Sequence, residues 1–156
     1  MTIFGLKVLV VDDEIAIKRF LRVALNGQGF IVSEAATGHE AIQTLALERP
    51  DLMILDLGLP DIDGIEVIRR LREWSQIPII ILSVREQEVD KIAALDAGAD
   101  DYLTKPFGMG ELLARIKTVM RRQISSIAEP ILSFGSLTVD LANRMVTIND
   151  EKVTLT

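Results

Sequence analysis

The stretch Leu52-Met53-Ile54-Leu55-Asp56-Leu57-Gly58-Leu59-Pro60-Asp61-Ile62-Asp63-Gly64 decides the fold. It opens on an unbroken apolar run, the pattern of a strand covered on both faces, because alternation arises only where one face meets water. The run ends in one carboxylate, Asp56, and a loop rich in Gly, Pro and Asp follows at once. In an open parallel sheet, ligands bind in the crevice at the carboxyl ends of the strands. A carboxylate there stands at the mouth of a site while its backbone is anchored in the sheet. Asp56 is the first candidate functional residue.

Outward from this stretch the same grammar repeats. Lys7 to Val11 is an apolar run that stops at Asp12-Asp13-Glu14. Ile15, Phe20, Leu21, Ala24 and Leu25 follow at helical spacing, closed by Gly27 and Gly29. Phe30 to Glu34 reads as a strand. Gly38 to Glu48 reads as a helix with Ala41, Ile42 and Leu45 on one face, ended by Pro50. Beyond Gly64, Ile65, Ile68 and Leu71 mark a helix reaching about Trp74, which is expected to shield the helix end and the sheet. Ile77 to Leu82 is a buried strand stopping at Ser83, and Val89, Ile92 and Leu95 mark a helix closed by Gly98. Asp101 to Thr104 is a short strand running into Lys105-Pro106. A last helix carries Leu112, Leu113, Ile116, Val119 and Met120 on one face and extends to Arg122.

Strand and helix thus alternate five times. Right-handed crossovers that each bury an apolar stripe give a doubly wound five-stranded parallel sheet with helices on both faces. Residues 1–122 make this α/β domain, and residues 123–130 (QISSIAEP) read as a linker. After Pro130 the period changes to two: Leu137, Val139 and Leu141 alternate, then Val146 and Ile148. Residues 131–156 are therefore expected to be a small antiparallel β segment, too small for a core of its own and the start of a truncated second domain.

Bulk composition narrows the function. Of 156 residues 49% are hydrophobic, enough for a sizeable core, and the absence of cysteine removes disulfides, thiolate metal sites and cysteine nucleophiles. The N-terminal residues lack the order of a signal peptide, and no apolar run is long enough to span a bilayer, so a cytoplasmic protein without membrane contact is expected. The net charge of −6 argues against a nucleic-acid surface spread over the whole chain.

The strand ends bring chemistry together. The first supplies Asp12 and Asp13, the third Asp56, the fourth Ser83 and the fifth Lys105. In a parallel sheet all lie along one edge. Carboxylates that close repel, and a hard divalent cation such as Mg²⁺, which prefers oxygen ligands and keeps several waters, relieves the repulsion. A phosphate would complete the set, its oxygens neutralised by the cation and Lys105, with Ser83 as donor. There is no Gly-rich phosphate loop, and His39 lies away from this edge as a surface residue. The simplest chemistry is attack by Asp56 on a phosphoryl group, giving an aspartyl phosphate. Singly, each residue has a plainer reading: Asp12-Asp13-Glu14 as a helix cap, Asp61 and Asp63 as loop formers, Lys105-Pro106 as a turn. Their joint placement is what lifts the cluster.

The constellation Asp12-Asp13, Asp56, Ser83, Tyr102 and Lys105-Pro106 resembles that of receiver domains of two-component response regulators, over residues 7 to about 122. The resemblance implies a flavodoxin-like fold and Asp56 as phosphoacceptor, assisted by Lys105 and Ser83. It implies Mg²⁺ held by Asp13, Asp56 and the Gly58 carbonyl, with Asp12 acting through water. Ser83 and Tyr102 would be a switch pair, and the Lys105–Pro106 bond would be cis. The family often has Thr where Ser83 stands; the hydroxyl is retained.

Residues 100–107 (DDYLTKPF) and the helix up to Arg122 resemble the OmpR/PhoB group. That resemblance implies a homodimer through the fourth helix, fifth strand and fifth helix. Ion pairs Lys91–Glu111, Asp101–Arg115 and Asp100–Arg122 would form around Ile92, Leu95 and Ala114. The tail is similar to the sheet that precedes a winged helix, so DNA binding would belong to the full-length protein. Segments 56–66, 71–75 and 90–107 read most like a member that regulates potassium uptake. The expected function is a phosphorylation-activated transcription regulator, fed by a sensor histidine kinase, rather than a turnover enzyme. The alternatives are a small Mg²⁺-dependent phosphohydrolase and a receiver with a protein-binding output. Gly58 stands where such hydrolases usually carry an acid/base carboxylate, two residues after the nucleophile.

Overall fold

The computed structural model describes residues 5–85 and 87–132. Its elements are β1 (Lys7–Val11), α1 (Ile15–Gly27), β2 (Ile31–Ala35), α2 (Gly38–Glu48), β3 (Leu52–Leu55), α3 (Gly64–Leu71), β4 (Ile79–Ser83), α4 (Glu88–Ala97), β5 (Asp101–Thr104) and α5 (Met109–Leu132). The strands form one parallel sheet in the order β2-β1-β3-β4-β5. This is the flavodoxin-like doubly wound arrangement, whose switch point lies between β1 and β3. The sheet and the start of α5 fall in one compact unit, Ile3–Arg115; α5 from Ile116 onward belongs to a second.

Burial follows the strand period. Leu9, Val11, Met53, Leu55, Ile79 and Ile81 join Ala41, Leu45, Val67, Ile68, Leu71 and Ala94 in one core cluster beneath α2, α3 and α4. Their strand neighbours Val8, Val10, Leu52, Ile54, Ile80 and Leu82 are also buried and point to the opposite face, where α1 contributes Leu21 and Leu25. A strand covered on both faces has no reason to alternate, which is why β3 and β4 read as unbroken apolar runs.

Several apolar residues that the sequence pattern placed inward face solvent. Ile15 and Phe20 on α1 are 68% and 50% exposed, and Trp74, expected as a shield, is 52% exposed. On α4 only Ala94 is buried, while Val89, Ile92 and Leu95 face outward. Helical spacing specifies a stripe; it does not say whether the sheet or another surface covers it. Residues 123–130, read above as a linker, continue α5, which ends two residues after Pro130. That segment holds no glycine to break a helix, and serine and glutamine are tolerated within one. The β segment expected over 131–156 lies outside the described residues from 133 onward. Among the described residues no helix is long and apolar enough to cross a membrane.

Helix starts join distant parts of the chain. Thr37 caps α2 by accepting from the Glu40 amide at 3.0 Å, and the Glu40 carboxylate accepts from the Ala36 amide at 2.8 Å. A second cap comes from the loop after β3. The Asp61 carboxylate accepts from the amides of Gly38 at 2.8 Å and His39 at 2.9 Å, and pairs with His39 Nδ1 at 2.7 Å. Residual burial works against the Asp61 charge, but the His39, Gly38 and neighbouring amides outweigh it and hold its pKa well below the ordinary 3.8. A carboxylate depressed in the fold contributes stability that is present above 3.8 and lost as pH falls below it. Asp61→Ala should therefore lower the melting temperature at pH 7, and the gap to wild type should narrow in thermal scans at about pH 3. An equal gap at both pH values would deny the amide cap its charge-dependent role.

Candidate functional site

Sheet register assembles the site. Val11 pairs with Leu55, so Asp12 and Asp56, the next residue on each strand, emerge side by side. The ladder carries one step further, with the Asp56 amide donating to the Val11 carbonyl at 2.9 Å and the Asp12 amide to Ala35 at 3.0 Å. Ser83 pairs with Thr104, and the Lys105 amide donates to the Ser83 carbonyl at 2.8 Å. Candidates spread over more than ninety positions thus reach one edge on main-chain hydrogen bonds alone.

At that edge ligand atoms of Asp12, Asp13 and Asp56 all lie within 4.8 Å of one another. Asp12 and Ser83 are buried and Asp56 is 9% exposed. Lys105 Nζ donates to Asp12 Oδ2 at 2.9 Å and to Glu14 Oε1 at 3.4 Å, and lies 4.0 Å from Asp56 Oδ1. Burial pushes the Asp56 carboxyl above its ordinary pKa, and the charges of Asp12 and Asp13 add to the effect; Lys105 and the Gly58 amide oppose it. Burial disfavours the Lys105 charge, but the hydrogen bond and charge of Asp12, with Asp56 and Glu14, more than compensate and hold its pKa high. Lys105 is thus a permanent cation in a cluster that still carries surplus negative charge. Hard oxygen donors, clustered and short of positive charge, fit a divalent cation such as Mg²⁺.

The Lys105–Pro106 bond is cis, as the resemblance implied. Tyr102 is half-buried against the core, its hydroxyl donating to the Arg85 carbonyl at 2.9 Å, while the Ser83 hydroxyl accepts from the Arg85 amide at 3.1 Å. Burial raises the Tyr102 pKa, against a hydrogen bond with Ser83 that lowers it. Both switch candidates therefore meet at one turn. Lys91 Nζ sits 5.9 Å from the centroid of the Tyr102 ring.

Three participants are not marked as site residues by the sequence. Glu14 is one of the acceptors on Lys105, 91 residues away. Arg85 reaches back across the crevice to Asp63 at 3.1 Å. Arg72 donates to the carbonyls of Gly98 and Ser75 and to Asp100 Oδ2, which also accepts from the Ile79 amide. Gly98, at φ 125°, has room for no Cβ beside the Arg72 stem. A residue type alone does not announce such pairings; they need the fold.

Comparison with known proteins agrees with this geometry. Residues 8–117 match the response regulator receiver domain. The chain belongs to the response regulator receiver family. The KDP operon transcriptional regulatory protein KdpE of Escherichia coli K12 is 57% identical over 150 residues, covering 96% of this chain and 67% of that protein. The transcriptional regulatory protein KdpE of Mycobacterium tuberculosis H37Rv is 48% identical over 151 residues, with the same coverages. Among solved structures, the BeF3-activated N-terminal receiver domain of Klebsiella pneumoniae RstA superposes with a TM-score of 0.71 at 32% identity, covering 74% of this chain and 98% of that one. A two-component response regulator from Clostridium difficile gives 0.74 at 28% identity, covering 76% and 98%. The receiver is the phosphorylation-activated part of a two-component response regulator, a signalling protein.

Proposed function

We propose that Asp56 is the phosphoacceptor of a transcription regulator of the KdpE kind, acting in the cytoplasm on potassium-transport genes and fed by a sensor histidine kinase. The observation that carries the reading is the largely covered Lys105 ammonium, 10% exposed at its side chain, held between Asp12 and Asp56 at a cluster of three carboxylates. An oxygen of Asp56 attacks phosphorus, a P–O bond forms, and the bond from phosphorus to the donor breaks, its electron pair leaving with the donor. Lys105, near enough to follow the oxygens of the new group, takes over their charge. Bound Mg²⁺, held by Asp13, Asp56 and the Gly58 carbonyl with Asp12 outside, would neutralise the remaining phosphoryl oxygens. Ser83 donates to the group once it arrives, and Tyr102 follows the turn that Ser83 and Arg85 share. Gly58 offers no acid or base two residues after Asp56, so the acyl phosphate persists as a signal instead of turning over.

The output we propose is a homodimer through α4, β5 and α5, which positions a winged-helix domain, beginning in 131–156, on DNA. The support is apolar surface left exposed on α4, where Ile92 and Leu95 are half-exposed, together with the charged Lys91 on α4, Asp101 on β5 and Glu111 and Arg115 on α5. Within one chain Arg115 already holds Asp101 at 3.2 Å and lies 3.7 Å from Glu111, and Asp100 is engaged by Arg72. Ion pairs this exposed add about 0.2–1 kcal/mol each, so they set register while the apolar contact drives association. The apolar place of Ala114 and the Asp100–Arg122 pair are part of the same reading. Sizing by analytical ultracentrifugation after acetyl phosphate and Mg²⁺ should show a dimer at micromolar concentration. Ile92→Glu should stay monomeric while still taking up the phosphoryl group. A monomeric wild type with the adduct on it would refute the dimer switch.

A further inference from the structure

Alongside Lys105, Arg85 joins the two halves of the crevice. Its main chain belongs to the switch side, where the amide donates to Ser83 Oγ at 3.1 Å and the carbonyl accepts from Tyr102 OH at 2.9 Å. Its guanidinium belongs to the acceptor side. There it donates to Asp63 Oδ2 at 3.1 Å and approaches the Leu57 carbonyl at 3.5 Å. Those two acceptors bracket the loop after Asp56. Leu57 is the next residue, its carbonyl also accepting from the Gly64 amide at 2.9 Å, and Asp63 caps α3 through the Ile65 amide at 2.9 Å. Between them lies Gly58, whose amide donates to the Asp56 carboxylate. The far end of the same loop is fixed by Asp61 on the start of α2.

We infer that Arg85 is a positioning residue for the phosphoacceptor loop. Its ion pair with Asp63 fixes the Leu57–Gly58 peptide for cation binding and couples the state of that loop to Ser83 and Tyr102. The physical reason is reciprocity. A residue whose two ends engage two sites makes the free energy of each depend on the other, so a cation bound beside Gly58 shifts the Tyr102 environment by the same coupling through which Tyr102 shifts cation affinity. The pair suits this role. It is partly exposed, so it can rearrange, and a single guanidinium nitrogen, Nη2, faces both the carboxylate and the nearby carbonyl, so a shift of either acceptor moves the same group.

The inference rests on the cation reading proposed above and has its own test. The chain contains one tyrosine, so tyrosine-labelled NMR reports Tyr102 alone. Mg²⁺ titrations by calorimetry, with the Tyr102 ring signal followed in parallel, are compared for the wild-type chain, Arg85→Ala, Arg85→Lys and Asp63→Asn. Asparagine still caps α3, so Asp63→Asn removes the charge and leaves the helix start. Arg85→Ala and Asp63→Asn should each weaken Mg²⁺ binding about fivefold, the upper worth of a partly exposed ion pair. Combining them should add little, and the Mg²⁺-induced shift of Tyr102 should vanish in both. Arg85→Lys should restore part of the affinity. Unchanged affinity with the Tyr102 shift intact in Arg85→Ala would overturn the inference, as would losses that simply add in the double variant. A wild-type chain that binds no Mg²⁺ would instead overturn the cation reading beneath it.

Discussion

Asp56→Asn should take up no phosphoryl group from acetyl phosphate and Mg²⁺, while the wild-type chain gains one by intact mass. The amide keeps the shape of the side chain and removes the nucleophilic oxygen. Its neighbour Asp12 is tied to Lys105. The same variant should be more stable than wild type in the absence of divalent cations. Burial raises the Asp56 pKa, so its charged form is disfavoured in the fold relative to the unfolded chain. Stability is then lost as pH rises from the unfolded value of 3.8 through the folded one. Asp56→Asn should raise the melting temperature at pH 7, by about 2–4 °C for each kcal/mol of charge penalty removed. Added Mg²⁺ should stabilise wild type and close most of the gap. A phosphoryl adduct on the variant would move the acceptor elsewhere. A lower melting temperature would mean that the cluster is held together by the Asp56 charge.

Gly64→Ala should be the most damaging single methyl on the acceptor side of the crevice. A Cβ at Gly64 would lie 2.7 Å from Leu57 Cα and 2.9 Å from the Asp56 carbonyl oxygen. Both are backbone atoms, and the Gly64 amide holds the Leu57 carbonyl at 2.9 Å, so neither segment can yield without breaking the start of α3 or the end of β3. Forcing atoms into a packed site costs about 1–3 kcal/mol. A melting temperature lowered by roughly 2–12 °C is expected at 2–4 °C per kcal/mol. Because the displaced peptide directly follows Asp56, the initial rate of phosphorylation should fall as well. Gly108→Ala is the control: nothing lies within 4 Å of its Cβ, and stability should change by less than about 0.5 kcal/mol. Equal melting temperatures for both variants would show that the loop yields where the structure has it braced.

Both predictions concern residues that the sequence makes visible to different degrees. Asp56 is legible because a strand end is a local event: an apolar run stops, a carboxylate follows, and the chain turns. The same holds for Asp12, Ser83 and Lys105, since four such local events read in order imply one edge once the sheet is parallel. Gly64 is visible as a turn residue, but the demand placed on it comes from Leu57, seven positions earlier, folded back within contact distance.

The sequence by itself determined the alternation of elements, the parallel sheet and the membership of the acidic edge, because hydrophobic period and strand ends depend on near neighbours along the chain. Only the tertiary structure decided which apolar stripes are covered. Ala94 faces the sheet on α4 while Ile92 and Leu95 do not, a distinction set by where the helix lies, not by its spacing. Only the structure showed that Asp61 caps a helix 22 or more residues away, and that Arg85 ties the switch turn to Asp63. Charge pairs act over a few ångströms in space, whatever their separation in the chain.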